Sequence, residues 1–274
     1  MKYIVPEGCY FRSVAGVEFH AGERLPENYR LKKGDVLLSQ DYRYDYLGRN
    51  EGGWHVHVKY TTKTSYGTIL SEIAGKPMTN MNGTFFGCQS LTAAPIIPSS
   101  VTDMSYTFCN CYSLTTAPDI PNSVTNMEST FANCTSLTTA PTIPNSVENM
   151  EDTFYGCTSL TTAPKIPDSV TNMYGTFRYC SSLTTAPIIP NSVTNMDGTF
   201  MDCKSLKKPP VIPEGVVSMV YAFRDCSSLE EKPKLPSTVK NAYDVFSGTP
   251  FDKSQEISES EIEVSEPEQD EEER

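Results

Sequence analysis

Apolar and polar positions between residues 78 and 250 return in one fixed order. Methionine stands at Met81, Met104, Met127, Met150, Met173, Met196 and Met219, and cysteine at Cys88, Cys111, Cys134, Cys157, Cys180, Cys203 and Cys226, each 23 residues after the last. Phenylalanine keeps the same interval from Phe85 to Phe246, and leucine from Leu91 to Leu229. The unit that begins at Cys157 reads C-T-S-L-T-T-A-P-K-I-P-D-S-V-T-N-M-Y-G-T-F-R-Y, and Cys180 begins it again. A constant period of this size predicts a solenoid. No single repeat can bury its own apolar face, so each stacks on its neighbours.

Two rhythms alternate inside one unit. Met150, Phe154, Cys157 and Leu160 are spaced 4, 3 and 3, which predicts a short helical turn. The segment T-T-A-P-K-I-P that follows carries Pro164 and Pro167, which forbid a helix, so it is expected to be extended. Asp168-Ser169-Val170 then turns the chain back, and Val170 and Met173 re-enter the core. Coils joined by short parallel strands lie about 4.8 Å apart, so each position becomes a column. The cysteines above form one expected inward column, and Phe108, Phe131, Phe154, Phe177 and Phe200 form another. The last units lose regularity: Lys207-Lys208-Pro209 and Glu230-Glu231-Lys232 replace T-T-A, Ala242 replaces methionine and Thr249 replaces cysteine. A polar terminal repeat of that kind closes a solenoid.

Residues 1–77 have another composition, with all three histidines, the only tryptophan and eight of the fifteen tyrosines. Turn signals at Pro6-Glu7-Gly8, Ala21-Gly22, Lys33-Gly34-Asp35 and Glu51-Gly52-Gly53 separate short alternating runs. The runs Val36-Leu37-Leu38, Tyr42 to Tyr46 and Trp54 to Val58 predict a small, mostly antiparallel β module. In the last run Trp54, Val56 and Val58 share one strand face and His55 and His57 the other. Two histidines on one face make a weak metal candidate, with a third ligand to come from His20 or from an acid such as Glu51; no metal motif supports it, and no cofactor is expected. The stretch T-I-L-S-E-I-A-G-K, residues 68–76, is expected to cap the first coil. The chain thus divides into a module of residues 1–77, a solenoid of seven to eight coils over 78–250, and a tail over 251–274.

The formal charge of -12 changes meaning when it is divided along the chain. The tail holds 11 acids against Lys253 and Arg274, the repeats carry a net of -5, and the first 77 residues a net of +2. The tail is too charged to pack a core and is expected to be disordered. No basic stripe suits a nucleic acid, and no run of 18 apolar residues suits a membrane span. The N-terminus lacks the apolar segment of a signal peptide, so a cytoplasmic or virion-associated protein is expected, with surface display only by a non-standard route. Of nine cysteines the only close pair is Cys109-x-Cys111, which lacks a matching pair for zinc. Stacked cysteines point the same way, so reduced, buried thiols are expected rather than disulfides.

The C-x-x-L, I-P-x-x-V-x-x-M and T-F segments of the unit resemble the BspA-like, or Treponema pallidum-type, leucine-rich repeats over residues 78–248. That family commonly has alanine before the phenylalanine and one residue fewer before the proline; here Thr153 precedes Phe154 and Pro164 is additional. The resemblance implies a leucine-rich-repeat solenoid that binds proteins or host matrix, as a surface or adhesion protein.

Near-identical repeats give rows of like residues, whereas catalysis needs unlike residues at one point. There is no G-x-S-x-G, P-loop or H-E-x-x-H, and no histidine after His57, so no enzyme is expected. The stretch after each methionine is the part that varies, and its Tyr106, Tyr155, Tyr174, Arg178, Tyr179, Tyr221 and Arg224 are residue types that dominate binding hot spots. These seven form the expected protein-binding face. The partner is a protein of the host or a further copy of the chain, and self-association is open through the N-terminal module. In the alternative arrangement the repeats are a spacer and residues 1–77 carry the binding function.

Overall fold

A computed structural model describes residues 3–48 and 52–252. The expected disorder of the acidic tail, and Glu51 as a metal ligand, lie outside the described residues. Alternating apolar runs near the N-terminus form β1 (Tyr10–Arg12), β2 (Glu18–His20), β3 (Val36–Leu38), β4 (Tyr42–Tyr46) and β5 (Trp54–Val58). Two further strands follow, β6 (Glu72–Ile73) and β7 (Lys76–Asn80), and the seven build one sheet in the order β2-β1-β3-β4-β5-β7-β6. All pairs are antiparallel except β5 with β7. One face of the sheet is apolar because every second residue of β4 and β5 points inward: Tyr42, Tyr44, Tyr46, Trp54 and Val56 are all buried.

This sheet runs straight into the repeats. β7 pairs with β5 at Met78, and its last residue, Asn80, bridges to Asp103 in the next coil. The residue 77/78 division therefore falls inside one strand. The Thr84 hydroxyl donates to the Val56 carbonyl at 2.7 Å, and the rings of Tyr42 and Tyr66 meet the first phenylalanine of the array, Phe85, at 6.4 and 5.2 Å. β5 and the segment around Tyr66 thus cover the first coil. Residues 68–76 also lie at this end of the array: Ile69 and Ile73 are buried in the same apolar cluster, β6 pairs with the start of β7, and the Met78 N–H donates to the Ser71 carbonyl at 2.9 Å.

Beyond Asn80 strand pairing shrinks to single parallel bridges. One column runs from Asn80 through Asp103, Asn126, Asn149, Asn172, Asn195 and Ser218 to Asn241, and a second includes Thr139, Thr162, Thr185 and Lys208. Inside, like stacks on like. Phenylalanine rings from Phe85 to Phe246 lie nearly parallel at centroid distances of 5.3 to 6.1 Å. At that separation parallel rings are offset rather than eclipsed, the favoured arrangement. The thiols of Cys111, Cys134, Cys157, Cys180, Cys203 and Cys226 each donate to the phenylalanine carbonyl of the preceding coil at 3.0–3.2 Å. The hydroxyls of Thr107, Thr130, Thr153, Thr176 and Thr199 donate to the methionine carbonyl of the preceding coil at 2.8–2.9 Å. Each buried polar atom in these columns is satisfied by the coil below it, which fixes register as well as stability.

The expected helical turn does not form among the described residues. The second and sixth residues after each methionine have positive φ in every coil: Gly83 and Gly87, Tyr106 and Asn110, Asp152 and Gly156, Gly175 and Tyr179, and so to Asp244 and Gly248. A left-handed residue at those intervals cannot continue a right-handed helix. The arc is a chain of tight turns whose N–H groups alternate. Thr153, Tyr155 and Cys157 donate three residues back within their own coil, while Asp152, Phe154 and Gly156 donate to Tyr174, Thr176 and Arg178 of the next. A helix would have kept all those bonds to itself; turns share half of them between coils.

Candidate binding face

The turn arc places the seven candidate residues along one side of the array, in unequal groups. Arg178 is the centre of the main group. Its guanidinium carbon lies 5.0 Å from the Tyr179 ring centroid and 5.9 Å from that of Tyr155, and those two rings meet edge to face at 5.2 Å. One Arg178 Nη donates to the Tyr179 hydroxyl at 3.2 Å, and its buried Nε has no partner. Further along, Arg224 covers Tyr221 at 5.3 Å. A hollow of about 170 Å³ lined by Tyr174, Arg178, Met201 and Tyr221 joins the two groups. Tyr106 stands apart and donates its hydroxyl to Glu128.

Solvent exposure does not follow the division between variable and constant positions. Tyr106 and Tyr174 are open, at 37% and 38%, but Tyr155, Arg178, Tyr179, Tyr221 and Arg224 half-bury one another. Conversely, the constant pair Thr161-Thr162 is exposed. It lies where the coils bridge, and a β-branched residue suits that position whether or not it is covered.

Two further residues belong to this face. Tyr243 is 64% exposed and meets Tyr221 at 5.6 Å. Its position one residue after the methionine register, matching Tyr174, was the available signal, hidden by the replacement of methionine with Ala242. Asp152 is the other. Burial and then the neighbouring Glu151 push its carboxyl up to about 6, against the pull of Arg178. Gly175 makes room for it: a Cβ there would lie 2.0 Å from an Asp152 oxygen.

His55 and His57 do lie together, with ring centroids 4.0 Å apart. His55 Nε2 is 2.8 Å from the Asn82 carbonyl, an acceptor, so that nitrogen carries a proton rather than a free lone pair. His57 Nε2 is 3.6 Å from Asp45, and burial, then His55, holds its pKa below the ordinary value. His20 is on β2, at the far end of the strand order from β5. Among the described residues no group of three or more His, Cys, Asp or Glu could hold a metal ion. All nine cysteines are free, and no helix among the described residues is long and apolar enough to cross a membrane.

The stacked coils, their bridges and their repeated unit agree with a family model for the BspA type leucine-rich repeat region, which matches residues 79–184 and 131–257 in six copies. The chain belongs to this family. A leucine-rich repeat protein from Bacteroides ovatus is similar in fold, at 23% identity and a TM-score of 0.64, over 78% of this chain and 57% of that one. The Treponema pallidum leucine-rich repeat protein matches at 24% identity and a TM-score of 0.60, over 71% of this chain and 90% of that one. Likeness at that identity is of fold. The BspA-type chain thus spans little more than half the length of the Bacteroides protein. Curated proteins give no match.

Proposed function

We propose that this chain is a non-enzymatic interaction protein that presents the tyrosine–arginine arc to a protein partner, with the N-terminal sheet anchoring the first coil. One observation carries the reading. Tyr106, Tyr179 and Tyr221 occupy left-handed backbone at φ of 54°, 63° and 57°, where other coils use glycine, serine, aspartate or asparagine. A bulky side chain there is uncommon and strained, and such residues cluster at ligand-contacting sites. Stacking alone does not call for them, since Gly198 and Gly156 serve the same two places elsewhere in the array.

A structural or adhesion role, in a virion, on a surface or between copies of the chain, is consistent with a rigid rod that displays such a face. The experiment is affinity measurement with partners recovered by the intact chain, comparing the parent with Arg178→Ala and Tyr179→Ala. A loss of about tenfold or more is expected for each, in keeping with an arginine or tyrosine hot spot. Unchanged affinity for both would remove the arc from consideration.

A further inference from the structure

The cap holds a cavity that the arc does not use. Its volume is about 490 Å³, and it lies between the start of the chain, the segment joining β2 to β3, the end of β4 and the β6–β7 turn. That size is within the usual range of small-molecule sites, roughly 300–1,000 Å³.

Its aromatic wall, Tyr29, is set in advance, and Tyr46 closes the cavity from beneath. The Tyr29 hydroxyl donates to Asp35 at 2.8 Å, and buried Asp35 also accepts from the backbone N–H of Lys32 at 2.8 Å and of Val14 at 2.9 Å. The Tyr46 ring rests on Trp54, centroids 5.2 Å apart. Leu31 adds an apolar side. Arg30 and Lys76 stand exposed at the mouth, and no described acid is ion-paired with either. Glu27, also at the mouth, already has a partner within the protein. The hydroxyl of Tyr3, sealed within the wall, has no hydrogen-bond partner.

We propose that this cavity binds a small aromatic molecule bearing one carboxylate, its ring against Tyr29 and Leu31 and its anionic end at Arg30 and Lys76.

The test is a fluorine NMR titration of the full chain with 4-fluorobenzoate, using 4-fluorobenzyl alcohol as the neutral counterpart. Saturable broadening in the millimolar range or tighter is expected for the carboxylate, with the alcohol about tenfold weaker. The double variant Arg30→Gln with Lys76→Met should bring the carboxylate down to the alcohol's level. Leu31→Trp, which fills the cavity and leaves its charges in place, should abolish binding of both. No saturable broadening with either probe, equal binding of the two, or undiminished binding of the carboxylate by the double variant would overturn the assignment.

Discussion

Tyr179 holds φ at +63°, and Gly156, one coil earlier, holds the same place at +68° without a side chain. The left-handed conformation costs a residue with a Cβ roughly 1–2 kcal/mol. The ring recovers part of that by lying against Arg178, an interaction worth about 0.5–1 kcal/mol at a partly exposed site. Tyr179→Gly is therefore expected to leave thermal stability within about 1 kcal/mol of the parent while weakening partner binding. A melting curve showing a loss above about 3 kcal/mol would make the ring a structural part rather than a contact. Asp152 gives a pH test. Its folded-state pKa, about 6, is above the ordinary 3.8, so the folded chain holds the proton more tightly than the unfolded one. Stability from this group is full below about pH 4 and is lost as pH rises towards 6. Asp152→Asn should remove that slope and raise stability at neutral pH by on the order of 1 kcal/mol, screening of a half-exposed group considered. Melting curves at both pH values check it. The residues of the candidate face stand out in the sequence as departures from the repeat. Their mutual burial does not, because it depends on which residues 23 positions apart become neighbours.

The misread element is the arc itself. Spacings of 4, 3 and 3 place methionine, phenylalanine, cysteine and leucine on one side of a helix, and the tight turns place them on one side equally well. Hydrophobic period could not separate the two. What separates them is the run of Gly, Asn, Asp and Ser at the two left-handed positions, residues that tolerate positive φ. The extended and turning parts of the unit were legible from the prolines, because a missing N–H is a local fact. Columns then set the energetics of an element. Phe154→Ala in mid-array should cost about 3–5 kcal/mol, since rings on both sides keep the cavity from closing. Thr153→Val keeps the volume but loses the hydroxyl bonded to the Met127 carbonyl, and about 1–2 kcal/mol is expected. Urea unfolding at equilibrium measures both, and a smaller loss for Phe154→Ala than for Thr153→Val would contradict the column as the main source of stability.

At the scale of the whole molecule the two ends of the rod differ. The N-terminal coil is covered by a sheet that shares its apolar cluster, with Tyr42 and Tyr66 against Phe85. The last described coil has Asn241 to Asp244 exposed and Phe246 only half-buried. In a quasi-one-dimensional array opening starts at the weaker end. Amide exchange is therefore expected to be fastest at Val245 and Ser247, while Phe85 exchanges as slowly as Phe154. Equal rates at the two ends would mean that the sheet gives the array no support. The strands of that sheet were legible one by one, since alternation is local. Their union with the first coil was not, because the contacts join residues far apart in sequence.

The cysteine column turns this asymmetry into something that can be followed coil by coil. Burial holds Cys134, Cys180 and Cys203 well above the ordinary thiol range, and Cys157 and Cys226 at about 12. A closed coil therefore offers an alkylating reagent almost no thiolate. Each thiol becomes reactive when its own coil opens, so six similar groups from Cys111 to Cys226 act as clocks placed at equal steps along one rod. Brief alkylation followed by peptide mass analysis would date their openings in a single sample, and the order in which the marks appear is a direct record of the direction in which the molecule comes apart.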